Sequence, residues 1–545
     1  MTYTAHIDTF AADNLPPKKW WPEFLFDRPE FQYPERLNCA TQLLDRWITD
    51  GQGDRLCLRA PGVKWTYADL QRVANRIAAV LVNEMGLVPG NRVLLRAPNT
   101  PKLAACWFAV MKAGGIAVTT MPLLRAKELT DIIDKARISH ALCDVRLAAE
   151  LNAARELWPS LRAVKWFETD PAQDSEGLEA AMARQSGDFE NVATAATDTC
   201  LIAFTSGTTG KPKGTMHFHR DVMAVCDGFG RSILRAQPDD VFIGSPPLAF
   251  TFGLGGLLLF PLHIGASTVL LDKTTPPLLL QGIEEFRASV VFTAPTAYRA
   301  MAQDVPKRNI KSLRKGVAAG EALPAATRKL WKEATGIELI DGIGSTEMLH
   351  IFISATEEEA RPGATGKPVP GYQACVLDAR GQPLPPGQIG RLAVKGPTGC
   401  RYLADERQQR YVENGWNLTG DTYLVDEDGY FIFQARSDDM IVSAGYNIAG
   451  PEVEAALIAH PAVAECAVIG APDEERGHLV KAFVVLREGF KGTPELAKEM
   501  QAFVKSAIAP YKYPRAIEFR DSLPKTETGK LQRFRLRMEE QERSK

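Results

Sequence analysis

Residues 200 to 214 read Cys-Leu-Ile-Ala-Phe-Thr-Ser-Gly-Thr-Thr-Gly-Lys-Pro-Lys-Gly. The first five are a short apolar run, the length and type expected of a buried strand. From Thr205 onward Pro212 is the only apolar side chain, and the stretch offers hydroxyls, glycines and the two lysines Lys211 and Lys213. Such a loop can bring backbone N–H groups, hydroxyls and ammonium groups around a polyphosphate, because glycine lets the chain approach without a Cβ clash. It is not a Walker A loop: Gly207 and Gly210 are too close together and Pro212 follows Lys211.

Outward from this stretch, short apolar runs alternate with helical patterns. Residues 67–84 carry apolar positions at helical spacing after Thr66, a suitable N-cap. Residues 93–95, 289–293, 316–319 and 337–340 read as strands, and residues 104–113 and 221–234 as helices. This alternation predicts α/β architecture, with parallel-sheet βαβ subdomains covered on both faces. Residues 1–35, rich in aromatics and prolines, predict an extended arm laid on the domain surface. From 366 to 433 the pattern changes to short β segments separated by Pro/Gly turns, Asp428-Gly429 among them, which predicts a β-rich subdomain. Beyond Arg436 the composition is that of a small α+β unit, with Pro451 and Pro494 opening helices. The expected division is a domain of residues 1–437 and a mobile C-terminal domain of residues 438–545.

At 545 residues the chain is too long for one ordinary core. A net charge of −2 supplies no positive field to hold nucleic acid. Residues 241–271 contain no Asp, Glu, Lys or Arg, but Pro246, Pro247, Pro261, five glycines and His263 argue against a membrane-spanning helix. The nine cysteines include no C-x-x-C pair, and the first residues lack a secretory-leader pattern. Reduced thiols in a cytoplasmic protein are therefore expected, without membrane or nucleic-acid partners.

The 200–214 string resembles the phosphate loop of the acyl-adenylate-forming superfamily, and five further segments resemble that superfamily's motifs in the same order. They are Ala319-Gly320-Glu321-Ala322, Asp341-Gly342-Ile343-Gly344-Ser345-Thr346-Glu347, Thr419-Gly420-Asp421, Arg436, and Pro524 to Lys530. The resemblance implies ATP contacts from Thr205, Ser206, Gly207, Thr208, Thr209 and Lys213, and from Gly320, Glu321 and Ala322 along the adenine. It implies further contacts from Asp341, Gly342, Ile343, Gly344, Ser345 and Thr346, with ribose contacts from Asp421 and Arg436. Thr346 and Glu347 would serve Mg²⁺, Lys530 would be the catalytic lysine, and Asp438 the hinge. Residues 248–255 and 344–351 are similar to benzoate-type CoA ligases, which implies an acid pocket of Thr251, Phe252, Gly344, His350 and Ile351. The arm residues Asp8-Thr-Phe and Tyr33-Pro-Glu-Arg-Leu-Asn38 resemble 2-aminobenzoate–CoA ligases. Ser443, Ala444, Gly445 and Tyr446 resemble a segment lining the pantetheine tunnel, with Ala444 where a glycine is usual.

The residue types suit the chemistry implied. A carboxylate attacks phosphorus poorly because two anions must meet, and Mg²⁺, lysines and N–H groups can neutralise that charge. A carboxylate at Asp421 can accept bonds from two ribose hydroxyls. The expectation is an ATP-dependent aromatic acid–CoA ligase for 2-aminobenzoate or benzoate, acting through acyl-AMP as a monomer or homodimer. The alternatives are loading of an aryl acid onto a carrier protein, or a non-catalytic acyl-adenylate sensor.

Overall fold

The computed structural model describes residues 3–205, 212–436, 439–443, 446–473, 477–508, 512–525 and 531–543. The central apolar run forms the strand Thr199–Thr205, one residue longer at each end than its apolar residues alone indicate. Lys213–Phe218 returns antiparallel to it, with Thr205 opposite Lys213. The stretch is therefore a hairpin, and its second strand holds Lys213 in place by backbone pairing.

This hairpin closes one edge of a six-stranded sheet, in the order Ala163–Phe167, His140–Asp144, Arg92–Arg96, Ile116–Thr120, Thr199–Thr205, Lys213–Phe218. Every pairing except the hairpin is parallel. A nine-stranded sheet lies alongside in the chain, its parallel centre running Leu339–Gly344, Lys315–Ala318, Val290–Thr293, Val241–Gly244, Ser267–Val269 and Leu56–Ala60. Helices fill the crossovers. Tyr67–Asn83 begins as expected at Thr66, whose hydroxyl accepts from the Asp69 amide while the Asp69 carboxylate accepts from the Thr66 amide. Pro101–Lys112 begins three residues earlier than its apolar spacing indicates, because Thr100 caps it and Pro101 occupies its first turn.

Residues 241–271 form no spanning helix: a strand, a helical run from Thr251 to His263 and the strand Ser267–Val269 divide them. No helix among the described residues is long and apolar enough to cross a membrane. The strand expected at 337–340 is Leu339–Gly344, so Asp341 to Gly344 are strand residues, paired antiparallel with Ile351–Ser354. The helix expected at 221–234 is α-helical over His219–Val225 and π-helical over Cys226–Leu234.

An antiparallel sheet follows, built on Gln373–Leu377, Gly390–Lys395, Trp416–Val425 and Phe431–Arg436. Gly429 at its tip has φ +81°, as the Asp-Gly turn requires. The arm reaches this sheet: Leu25 and Glu23 donate to the carbonyls of Gly396 and Gly415, both in β-rich territory. The C-terminal domain has its own core around Val453, Val468, Val484 and Val504. It comprises the hairpin Met440–Ser443/Tyr446–Ala449, the helices Gly450–Ile458 and Pro494–Ala507, and a three-stranded sheet.

Candidate active site

Strands of a parallel sheet all deliver their C-terminal ends to one edge, where the following loops carry polar groups. Ala318, at the end of its strand, pairs with Asp341. The neighbouring loop residues Gly320, Glu321 and Ala322 therefore leave the sheet beside Asp341 to Gly344. Gly320 has φ +88°, which a side chain there would strain. A Cβ on Gly342 would meet the Ile351 side chain at 2.7 Å, and one on Gly344 the His350 carbonyl at 2.8 Å. The two glycines thus let the Ile351 segment close over this edge.

Lys213 and Glu347, expected at the same phosphates, do meet. Lys213 Nζ lies 3.4 Å from Glu347 Oε1 and 2.9 Å from the Tyr402 hydroxyl, which itself donates to Glu347 Oε1. Tyr402 is 1% exposed, so water cannot replace its bonds. Burial, with the Glu347 charge next, pushes the phenol far above its ordinary range, and it stays a donor. Thr205, at the end of the facing strand, has a buried hydroxyl without a partner among the described residues.

Behind this cluster, His217 Nε2 lies 2.8 Å from the Thr346 carbonyl. Burial, with the Arg401 charge adding to it, lowers His217 to about 3, so the ring is neutral and its Nε2–H donates to that carbonyl. The opposite nitrogen is 3.9 Å from Asp221, which is ion-paired with the fully buried Arg401. Ser345 Oγ accepts from the Met348 amide at 3.2 Å and lies 3.4 Å from the Tyr411 hydroxyl. Asp341 Oδ1 accepts from the Gly342 amide, and burial raises its carboxyl to about 7.

Asp421 and Arg436 are also brought together. They are paired across adjacent strands, and Arg436 Nη1 donates to Asp421 Oδ1 at 3.0 Å. Gly420 has φ +76°, and a Cβ there would approach Arg436 Nη2 at 3.0 Å.

Of the residues expected at an acid pocket, Phe252 and the backbone of Gly344 lie against His350. The His350 ring lies 5.8 Å from Phe252, 5.3 Å from Phe229 and 4.6 Å from Phe260, the last edge-on. Phe252 also contacts Phe292 at 5.6 Å. A Cβ on Gly255 would strike His350 at 2.3 Å, so glycine there makes room for the ring. Burial lowers His350 to about 3 and keeps it neutral. Thr251 opens the helix that carries Phe252 and is half-buried, as is Phe252 itself.

Ser443 is buried and pairs with Tyr446 in the hairpin of the C-terminal domain. Pro524 and Lys525 pair with Gln532 and Leu531. Ser206, Gly207, Thr208, Thr209, Asp438, Ala444, Gly445 and Lys530 lie outside the described residues.

Sequence reading missed Tyr402, His217, Tyr411 and the aromatic partners Phe229, Phe260 and Phe292. Tyr402 follows no motif; a bridge from Thr215 to Tyr402 carries it to the hairpin, a pairing 187 residues apart in sequence and invisible to local pattern. The donor set fits a hard divalent cation: Mg²⁺ takes one or two carboxylates and completes its shell with water and substrate phosphate. Both polar contacts to Glu347 fall on Oε1.

Comparisons with known proteins give a consistent result. The family profile described as AMP-binding enzyme matches residues 44–402, and the AMP-binding enzyme C-terminal domain matches residues 452–530. The benzoate–CoA ligase of Thauera aromatica is 35% identical over 517 residues, covering 93% of this chain and 97% of that protein. The crystal structure of the anthranilate CoA ligase AuaEII with anthranoyl-AMP superposes with a TM-score of 0.89 at 34% identity, covering 94% of this chain and 99% of that one. A benzoate CoA ligase from Burkholderia xenovorans LB400 gives 0.83 at 31% identity, covering 92% and 100%.

Proposed function

The chain belongs to the AMP-binding enzyme family, and on that premise we propose that it is an AMP-forming aromatic acid–CoA ligase acting on benzoate or 2-aminobenzoate. The observation that carries this reading is a lysine–tyrosine–glutamate cluster whose Glu347 stands three residues before His350, a neutral histidine held among aromatic rings.

Gly320 to Ala322 and Ile343 bracket the adenine in this reading, and Asp421 accepts from the ribose hydroxyls beside Arg436. Thr205 to Thr209 and Lys213 gather the phosphates. Glu347 and Thr346 would hold Mg²⁺, which would supply positive charge to offset that of the phosphates. Lys213 offsets the charge of the incoming carboxylate and of the α-phosphate, and Lys530 adds a second cation as charge rearranges. Tyr402 fixes both Lys213 and Glu347, so neither must be reorganised in the reaction. Phe252 and Ile351 wall the acid's ring, with Thr251 and Gly344 at its edge. His350, uncharged, offers its substituents a hydrogen-bonding partner without a charge. The products of the first step are acyl-AMP and pyrophosphate.

For the second step the domain boundary falls at residues 437/438, and turning about Asp438 presents Ser443 to Tyr446 to pantetheine. The CoA thiolate attacks the mixed anhydride and AMP leaves. Relatives named as CoA ligases favour CoA over a carrier protein as acceptor. Among the described residues all nine cysteines are free thiols, which supports a reducing, cytoplasmic setting, and we read the enzyme as a monomer or homodimer. Pyrophosphate release over a panel of acids, with and without CoA, tests the reading. Benzoates should give release without CoA and multiple turnovers with it. Preference for aliphatic acids would overturn the aromatic assignment.

A further inference from the structure

Away from the crevice, three side chains from distant parts of the chain close on one another. Cys39 precedes the helical segment Thr41–Asp45, Cys200 lies in Thr199–Thr205, and His219 opens the helix His219–Val225. Each is 0% exposed. One ligand atom from each, the two Sγ atoms and a ring nitrogen, lie within 4.8 Å of one another. His219 Nδ1 is 3.2 Å from Cys39 Sγ. The Cys39 amide also donates to Nδ1, at 3.2 Å, so this nitrogen carries the lone pair, and an ion bound there would replace that amide bond.

These separations are on the scale of a metal's ligand shell. Metal–sulfur and metal–nitrogen bonds of about 2.3 and 2.0 Å at tetrahedral angles put S and N roughly 3.5 Å apart and two S atoms roughly 3.8 Å apart. Two soft sulfurs and an imidazole, shut away from water, suit a thiophilic d¹⁰ ion and not Mg²⁺ or Ca²⁺. The absence of a C-x-x-C pair does not bear on this site, because its ligands come from positions 39, 200 and 219 and meet only through the fold.

We propose that Cys39, Cys200 and His219 form a binding site for a thiophilic d¹⁰ cation, zinc(II) or copper(I). On binding, each thiol releases its proton to solvent, and the two thiolates and the Nδ1 lone pair donate to the ion, without electron transfer. The ion would tie the segment at Cys39 and the helix at His219 to the strand that runs into Thr205, at the root of the phosphate hairpin. The site is independent of the ligase reading.

Because all three ligands are enclosed, the ion enters as the chain folds. The full chain should therefore be purified under reductant from cells supplied with zinc, with copper or with cobalt, washed with a mild chelator, and its metal content measured. Cys39→Ser and Cys200→Ser are the test variants, and Cys143→Ser, a buried thiol elsewhere, is the control. The expected result is about one ion per chain of zinc or copper in the parent and the control, falling at least about fivefold in both test variants. The cobalt-grown parent should show thiolate-to-cobalt charge-transfer absorption, a readout that does not require any variant to fold. A parent without metal from both zinc and copper cultures, equal retention by the test variants, or cobalt protein without the charge-transfer band would each overturn the site.

Discussion

Tyr402→Phe removes one hydroxyl and keeps the ring. That hydroxyl donates to Glu347 and contacts Lys213 Nζ at 2.9 Å, in a place that is 1% exposed. Phenylalanine leaves both charged groups short of one bond, and the enclosed Glu347 side chain, 9% exposed, has little water to restore it. A hydrogen bond to a charged group contributes about 1.5–3 kcal/mol. At about 1.4 kcal/mol per factor of ten, adenylation should slow by roughly 10- to 100-fold. The Lys213 ammonium lies 4.9 Å from the ring centroid, and that contact survives the change, which limits the loss of folding stability. The assay is acid-dependent pyrophosphate release across ATP and Mg²⁺ concentrations, beside thioester formation from supplied acyl-AMP and CoA. The rate of the first step should fall, the KM for the acid should hold, and the second step should be nearly normal. A loss smaller than about threefold, roughly 0.6 kcal/mol, would refute the claim that Tyr402 organises the phosphate site. Equal loss in both steps would mean a folding defect.

Phe252→Ala should raise the KM for benzoates about 5- to 150-fold, since a half-buried ring touching Phe292 and His350 is lost at about 1–3 kcal/mol; a raised KM for ATP with unchanged acid preference would place the pocket elsewhere. Lys530→Ala should abolish pyrophosphate release far more than thioester formation from supplied acyl-AMP, because its charge is needed only in the first step; equal loss would remove that role. Stability should rise with pH between about 4 and 6.5. His217, His263 and His350 sit at about 3 in the fold against an ordinary 6.5, each contributing stability that is full above 6.5 and lost as pH falls. Asp341, raised to about 7, works in the opposite sense. The unfolded chain then binds a net two more protons from these four groups, about 2.7 kcal/mol per pH unit. Burial lowers His6 and His140 in the same direction and raises Asp221 and Asp227 in the other. Urea midpoints at pH 5 and 6 check the sign, and an equal or higher midpoint at pH 5 would contradict it.

The parts of the site that sequence made legible are those whose residue types are set by local chemistry. Glycine at 320, 342, 344 and 420 marks backbone that must turn or be approached closely, and Lys213, Glu347 and Arg436 carry charge at a strand end or loop, with Asp421 inside the strand beside Arg436. What stayed hidden depends on contacts between remote segments. Tyr402 reaches Lys213 through a bridge to Thr215, and Phe229 and Phe260 converge on His350 from two helical runs, with Phe292, from a strand, packed against Phe252 and Phe260. Periodicity identifies such rings as core but not which buried polar group they surround. The apolar run 337–340 predicts too short a strand for a related reason. Its continuation to Gly344 is held by pairing with Ile351–Ser354, while Asp and Gly in that continuation are poor strand formers alone.

The central claim is that this chain joins an aromatic acid to CoA through an adenylate. Mass analysis of a reaction containing purified protein, ATP, Mg²⁺, CoA and an equimolar mixture of benzoate, 2-aminobenzoate and an aliphatic acid tests it most directly. The account predicts aryl-CoA from a benzoate as the main product, with AMP and pyrophosphate formed in equal amounts to it and acyl-AMP alone when CoA is omitted. ADP and phosphate as the nucleotide products, or acyl-AMP that persists in the presence of CoA, would contradict it.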